Sequence, residues 1–258
     1  MTPSTYHTFR KKWGQNFLVD INLLRKIVRT INPQGSDSIL EIGPGEGALI
    51  EHVLPLVEHM AAIEIDPKLI KYLQNRHDLK DCHFIHKDVL SQELADLPIP
   101  TPVKVIGNIP YNITSPILFW LIKQRTHWSE AFFMIQKEVA ERLASSAGTK
   151  SYGRLTVMIG AFLDVKICFT IPPDVFIPKP KVKSAIVRFI KKKESLVEEN
   201  EFDRFEKIVG AAFSRRRKML RNTLTDFDFS NAIKEKIDFS RRPETLAIEE
   251  FSALTKDR

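Results

Sequence analysis

The residues best placed to do chemistry begin at Ile39. The run Ile39-Leu-Glu-Ile-Gly43-Pro-Gly45-Glu-Gly47 carries an apolar strand into a glycine-rich turn that opens a helix. Glycine suits such a turn because it accepts backbone angles that a Cβ forbids and lets a ligand approach the main chain. The next apolar run ends at Glu64, 21 residues beyond Gly43, where a carboxylate is placed to accept hydrogen bonds from ribose hydroxyls. Glycines alone only close a turn; joined to an acid ending the second strand, they point to an adenosine-containing cofactor. Charge then chooses among such cofactors. The turn reads Gly-x-Gly-x-Gly and is bracketed by Glu41 and Glu46. A dinucleotide would bring a pyrophosphate here, and a carboxylate about 4 Å from a phosphate costs on the order of 4 kcal/mol at an effective dielectric of roughly 20. S-adenosylmethionine brings a sulfonium and an ammonium instead, both attracted by carboxylates. Asp88, after the third strand, is placed to meet the adenine amino group of that cofactor.

A second constellation closes the fourth strand: Gly107-Asn108-Ile109-Pro110-Tyr111. Asn-x-Pro-Tyr alone is ordinary turn chemistry, but downstream of this cofactor loop it resembles the strand-end motif of the amino-methyltransferases. An exocyclic amine conjugated to adenine is a poor nucleophile, because its lone pair is delocalised into the ring. Two acceptors, the Asn108 side-chain oxygen and a backbone carbonyl next to Pro110, would hold the amino hydrogens and aim the lone pair at a methyl group. Proline fixes the backbone that presents the carbonyl. Tyr111 is suited to stack on a base drawn out of its helix. Such a transfer is an in-line displacement promoted by positioning and electrostatics, with no strong base required. Asn108, Pro110 and Tyr111 are the candidate catalytic residues.

These residues need a sheet to hold them. SILEIG, HMAAIE, CHFIHKD, VKVIGN and EAFFMIQ read as five strands, each short and nearly continuous in apolar character, as suits parallel strands buried on both faces. Helix starts are expected at Asp66-Pro67 and Ser115-Pro116, an N-cap followed by proline in each case. Lys137 to Ala144 and Arg154 to Phe162 read as helices, and DVKICFTI and SAIVRFI as two further strands. Between those strands Pro172, Pro173, Pro178 and Pro180 are expected to forbid regular structure. Beyond about Glu194 strand signals stop; Phe202, Phe205, Val209, Ala212 and Phe213 recur at helical spacing. The expected fold is α/β: a Rossmann-like domain over 1–193 with a mostly parallel seven-stranded sheet, then a small all-helical domain over 194–258.

Over nearly its whole length the chain resembles the ribosomal RNA adenine dimethyltransferases that modify two neighbouring adenines near the end of small-subunit RNA. Lys12-Trp-Gly-Gln15-Asn16-Phe17-Leu18 is similar to the family's signature before the first helix. Tyr152-Gly-Arg-Leu, the block from Pro173 through Phe176, Pro178 and Pro180 to Val182, and Phe213-Ser-Arg-Arg-Arg-Lys-Met-Leu-Arg221-Asn match three further blocks. The resemblance implies that Asn16 and Leu18 touch S-adenosylmethionine, with Gly43, Glu64, Asp88 and Asn108 at the remaining cofactor positions. It also implies a partner, small-subunit ribosomal RNA within an immature particle. Two other readings stand beside it: methylation of a large-subunit adenine, as in the antibiotic-resistance relatives, and an RNA-binding assembly factor whose catalysis is dispensable. A nicotinamide dehydrogenase is opposed by the acids around the glycines.

Composition agrees with a nucleic-acid partner. The 258 residues are 43% hydrophobic and carry a net charge of +7, and basic chains favour polyanions through counterion release. Arg215, Arg216, Arg217, Lys218 and Arg221 crowd into seven residues. On a continuing helix, Ser214, Arg217, Lys218 and Arg221 would share a face while Phe205, Val209 and Ala212 turn inward. Lys179, Lys181 and Lys183 form a second cluster, and Arg10, Lys11 and Lys12 a third; all three are candidates to grip RNA phosphates. Cys82 and Cys168 are far apart, as in a reducing cytoplasm. Met1 to Lys12 has no signal-peptide pattern and no run is fit to span a bilayer. His83 and His86 lack partners at metal-ligand spacing, so no metal is expected. A monomer is expected, since no heptad or self-pairing surface is evident.

Overall fold

The computed structural model describes residues 17–215 and 217–257. In chain order it contains β1 (Phe17–Leu18), α1 (Ile21–Ile31), β2 (Ser38–Ile42), α2 (Ile50–Val53), β3 (His59–Glu64), α3 (Pro67–Gln74), β4 (Cys82–His86), β5 (Val103–Asn108), α4 (Thr114–Lys123) and β6 (Trp128–Gln136). There follow α5 (Lys137–Leu143), α6 (Arg154–Gly160), β7 (Leu163–Ile171), β8 (Phe176–Ile177), β9 (Ser184–Lys191), α7 (Phe202–Ser214), α8 (Asn231–Lys236) and α9 (Ile248–Lys256).

Seven strands form one sheet in the order β4-β3-β2-β5-β6-β9-β7. The pairs β2–β3, β2–β5, β3–β4 and β5–β6 are parallel, and β9 runs antiparallel to β6. All five residues of β2 are buried, as a strand covered on both faces requires. From β2 the chain moves outward to β3 and β4, then returns to β5 on the other side of β2. The order therefore reverses between β2 and β5, and ligand crevices in open α/β sheets lie beyond the carboxyl ends of strands at such a point.

The helix starts have local causes. Asp20 caps α1 by accepting the Leu23 N–H at 2.8 Å, and Asp66 caps α3 by accepting the Lys68 N–H at 2.9 Å. The start expected at Ser115 lies earlier, at Thr114. A single 3-10 turn over Tyr111–Ile113 already supplies helical backbone, and Pro116 falls in the first turn, where its missing N–H has no helical acceptor to lose. The proline block also differs from expectation. Phe176 and Ile177, which keep their N–H groups between the prolines, form β8 and pair antiparallel with β1 (Phe17↔Ile177, Leu18↔Phe176).

The chain divides into two compact units: one runs to Lys137 and resumes over Lys166–Ile190, and the other comprises Glu138–Val165 and the chain from Lys191 onward. The helical unit thus takes in α6 and most of α5 besides the C-terminal stretch, a division different from the one at 193/194 expected from the sequence. Within it Phe162 packs on Phe202 and Phe205, with ring centroids 5.7 and 6.2 Å apart, and Phe205, Ile208, Val209 and Ala212 are buried. The expected basic helical face is not formed. Helix α7 stops at Ser214, and Arg217, Lys218 and Arg221 lie beyond it. The chain leaves the helix because Leu220, fully buried, donates its N–H to Arg241 O at 2.9 Å, and Arg221 donates to Phe239 O at 3.0 Å. Among the described residues no helix is long and apolar enough to cross a membrane.

Candidate active site

A cavity of about 380 Å³ opens at the switch point, entirely within the first unit. Gly43, Gly45 and Gly47 all have positive φ (66°, 60° and 87°), the left-handed backbone that only glycine adopts without strain. The turn they make is anchored from both sides. Gly43 donates its N–H to Ile63 O at 2.9 Å, and Arg76 Nη1 donates to Glu46 O at 3.1 Å while pairing with Glu51 at 2.6 Å. Beyond the turn α2 spans only Ile50–Val53, because Pro55 lacks an N–H and cannot continue it.

Glu64 ends β3 and lines the cavity; its Oε1 accepts the N–H groups of Ile65 and Asp66, both at 2.9 Å. Burial raises its carboxyl above the ordinary range, opposed by those N–H donors. Asp88 stands exposed at the rim, its Oδ1 accepting the Leu90 N–H at 3.0 Å. Leu24, Ile27 and Ile31 of α1, with Ile65 and Leu90, supply apolar wall. Glu41 also lines the cavity, is buried, and has an Oε2 with no hydrogen-bond partner. Burial first, and then the charge of Glu64, push its carboxyl up to about 8. A buried acid with an unsatisfied oxygen at a cavity wall suits a ligand that brings positive charge or a donor. The donor set therefore fits S-adenosylmethionine: two carboxylates, a glycine turn with open backbone and an apolar slot.

The other end of the cavity is built by β5. Gly107 faces Ile42 in the sheet register, and a Cβ there would lie 2.6 Å from the Ile42 carbonyl oxygen. Only glycine allows β5 to run this close to β2. Asn108 pairs with Met134 of β6, and Ile109 donates its N–H to Met134 O at 3.2 Å. The Pro110 carbonyl accepts the Ile113 N–H at 3.1 Å, which occupies it in the 3-10 turn. Asn108, Pro110 and Tyr111 all line the cavity, half-buried. Tyr111 Oη lies 2.8 Å from Ser184 Oγ, and burial raises the phenol above its ordinary range while that hydrogen bond lowers it.

Of the expected cofactor and catalytic residues, Leu18, Gly43, Glu64, Asp88, Asn108, Pro110 and Tyr111 share this one cavity; Asn16 lies outside the described residues. Of the basic clusters, Arg10, Lys11, Lys12 and Arg216 also lie outside them. Arg215, Arg217, Lys218 and Arg221 are exposed, as are Lys179, Lys181 and Lys183; none lines the cavity, and Lys179 pairs with Asp174. Sequence alone does not point to the α1 wall, to Ile177 and Ile186 on the late strands, or to Ser184. Ser184 had no signal beyond standing first in an apolar strand. No group of three or more His, Cys, Asp and Glu among the described residues could hold a metal ion.

A mostly parallel sheet whose switch point joins a glycine turn, two strand-end acids and Asn-Ile-Pro-Tyr in one cavity defines an S-adenosylmethionine-dependent methyltransferase. Residues 6–256 match the family model for ribosomal RNA adenine dimethylase, and the chain belongs to that family. It is 41% identical over 250 residues to the ribosomal RNA small subunit methyltransferase A of Nitrosospira multiformis, covering 96% of each chain. It is 43% identical over 247 residues to the protein of the same name from Prosthecochloris aestuarii, covering 95% of this chain and 92% of the other. Among solved structures it resembles a dimethyladenosine transferase from Plasmodium falciparum, with a TM-score of 0.77 and 29% identity over 92% of this chain and 95% of that one. It also resembles the 23S rRNA methyltransferase ErmE, with a TM-score of 0.71 and 26% identity over 93% and 98%.

Proposed function

We propose that this chain dimethylates the exocyclic amino groups of two adjacent adenines near the 3′ end of small-subunit ribosomal RNA. The observation that carries the reading is that Asn108, Pro110 and Tyr111 open onto the same cavity as the glycine turn, Glu64 and Asp88. S-adenosylmethionine, when bound, supplies an electrophilic methyl group on a sulfonium centre. Gly43, Glu64 and Asp88 hold the donor, together with Asn16, Leu18 and Asn108. The Asn108 side-chain oxygen and the Ile109 carbonyl accept the hydrogens of the target amine; the Pro110 carbonyl is already engaged. That pull makes the nitrogen lone pair available, and Tyr111 holds the base by stacking. Once methylated and cationic, the nitrogen is acidic enough to lose its proton without a strong base.

Arg215, Arg216, Arg217, Lys218, Arg221, Lys179 and Lys181 grip RNA phosphates, and the substrate is the RNA of an immature small-subunit particle in the cytoplasm, engaged by a monomer. The likeness to ErmE favours a second reading, a large-subunit adenine. Relatives at 41–43% identity that carry the small-subunit name outweigh a 26% likeness. Methyl transfer from labelled S-adenosylmethionine to small subunits lacking adenine methylation, with large subunits and an Asn108→Ala variant as controls, tests both. Dimethyladenine in the small subunit alone, lost in the variant, is the expected result. Label in the large subunit moves the assignment to the second reading. No label in either particle, with the donor still bound, leaves an assembly factor.

A further inference from the structure

We propose that Ser184 is a positioning residue for this reaction: its hydroxyl fixes the Tyr111 ring at the angle at which it receives the target adenine. The proposal rests on the reading of Tyr111 as the stacking face. A half-buried tyrosine at a cavity wall turns about two torsions, and the second has a broad minimum. A ring free to swing is a poor platform, because a small misplacement of the reacting base costs turnover steeply. The contact between Tyr111 Oη and Ser184 Oγ, 2.8 Å long, ties the far end of the ring.

Ser184 is a firm anchor. It is 0% exposed and begins β9, where it pairs with Gln136 of β6. The main chain is pinned on either side of that pair: Lys137 donates its N–H to the Lys183 carbonyl at 2.9 Å, and Ile135 pairs with Ala185. Strand β6 also sets the other reactive group: Asn108 pairs with Met134, two residues before Gln136, and Ile109 donates to the Met134 carbonyl at 3.2 Å. The amine acceptor and the stacking ring thus take their positions from neighbouring points on one buried strand. Ile113, Ile177 and Ile186 line the same cavity. In such an apolar setting a pair of hydroxyls adds little net stability over an apolar pair of the same shape, while it confers direction that an apolar contact lacks.

The test is a double-mutant cycle on the full chain with Ser184→Ala, Tyr111→Phe and the double variant. Transfer to small subunits lacking adenine methylation, donor affinity by calorimetry and thermal unfolding are measured for each. Each single variant is expected to lower kcat roughly tenfold. KM for the particle and the donor dissociation constant should stay within about twofold. The double variant should be no slower than the slower single, because both substitutions remove one shared contact. Wild-type kcat in either single variant, or losses that multiply in the double, would overturn the proposal. Tyr111→Phe removes the contact from the half-buried side and decides the matter alone if Ser184→Ala does not fold. A Tyr111→Ala variant with wild-type kcat would instead overturn the stacking role.

Discussion

Asn108 and Glu41 are side chains whose chemistry is set by their surroundings. Asn108 stands where β5 ends, its backbone fixed to β6, and replacing its amide removes one acceptor for the amine. Asn108→Ala is expected to lower kcat by roughly a hundredfold or more, the scale seen when one transition-state hydrogen bond is lost. Donor affinity, read by calorimetry, should fall less than tenfold. Glu41 makes a prediction about pH. Its folded carboxyl is raised from 4.5 to about 8, chiefly by burial, so the folded chain holds a proton that the unfolded chain has released. For a raised acid, stability is present at low pH and declines as pH climbs from the unfolded value toward the folded one. The slope is at most about 1.4 kcal/mol per pH unit. In the donor-free protein, Tm should fall between about pH 5 and 8, and Glu41→Gln should flatten that fall. An unchanged slope in the variant would show that another group carries it.

Among the elements, β2 and β5 matter most, since both ends of the site hang from them. Gly107→Ala would place a methyl 2.6 Å from the Ile42 carbonyl oxygen, main chain against main chain, with no flexible side chain to yield. A loss of about 2–3 kcal/mol is expected, seen as a fall in Tm of roughly 4–12 °C for a chain of this size. Activity should drop with it, because Asn108 is the next residue. These strands were legible in the sequence: near-continuous apolar runs ending in glycines or acids leave few alternatives to a parallel sheet with its site at the strand ends. Elements made by distant partners were not. The pairing of β1 with β8 joins Leu18 to Phe176 across most of the chain, and two-residue strands carry no periodicity. Basic residues favour helix, so Arg217 to Arg221 read as one; the bonds from Leu220 and Arg221 to the 239–241 segment win instead. The grouping of 138–165 with the C-terminal helices comes from contacts that no local pattern announces, among them Phe162 with Phe202 and Phe205, and Tyr152 with Phe213. The same holds for Ser184 and Tyr111, 73 residues apart.

The molecule as a whole carries +7, yet the chain from Ser195 onward holds 13 basic and 13 acidic residues, so the excess resides upstream of it. A role for Arg217 and Arg221 on RNA must therefore come from local crowding rather than from the charge of their segment. Screening makes the two separable. At physiological salt charges act over about 8 Å, whereas each phosphate neutralised at contact contributes roughly 0.7–0.9 to the slope of log affinity against log salt. Arg221 also stands near Asp238, whose carboxyl is held down chiefly by hydrogen bonds from Ser240 and to a lesser degree by the charges of Arg241 and Arg221, so Arg221 is better neutralised than reversed. Arg217→Glu with Arg221→Gln is expected to reduce the salt slope for ribosomal RNA by about 1.5. Donor affinity should be untouched. The matched control is Lys234→Glu with Lys236→Gln, which makes the same change in net charge at exposed positions in the last turn of α8. If the patch touches phosphate, only the first pair flattens the salt dependence. Equal effects from both pairs would mean that the RNA senses a diffuse field, and that the cluster at 215–221 is a solvated surface with no contact of its own.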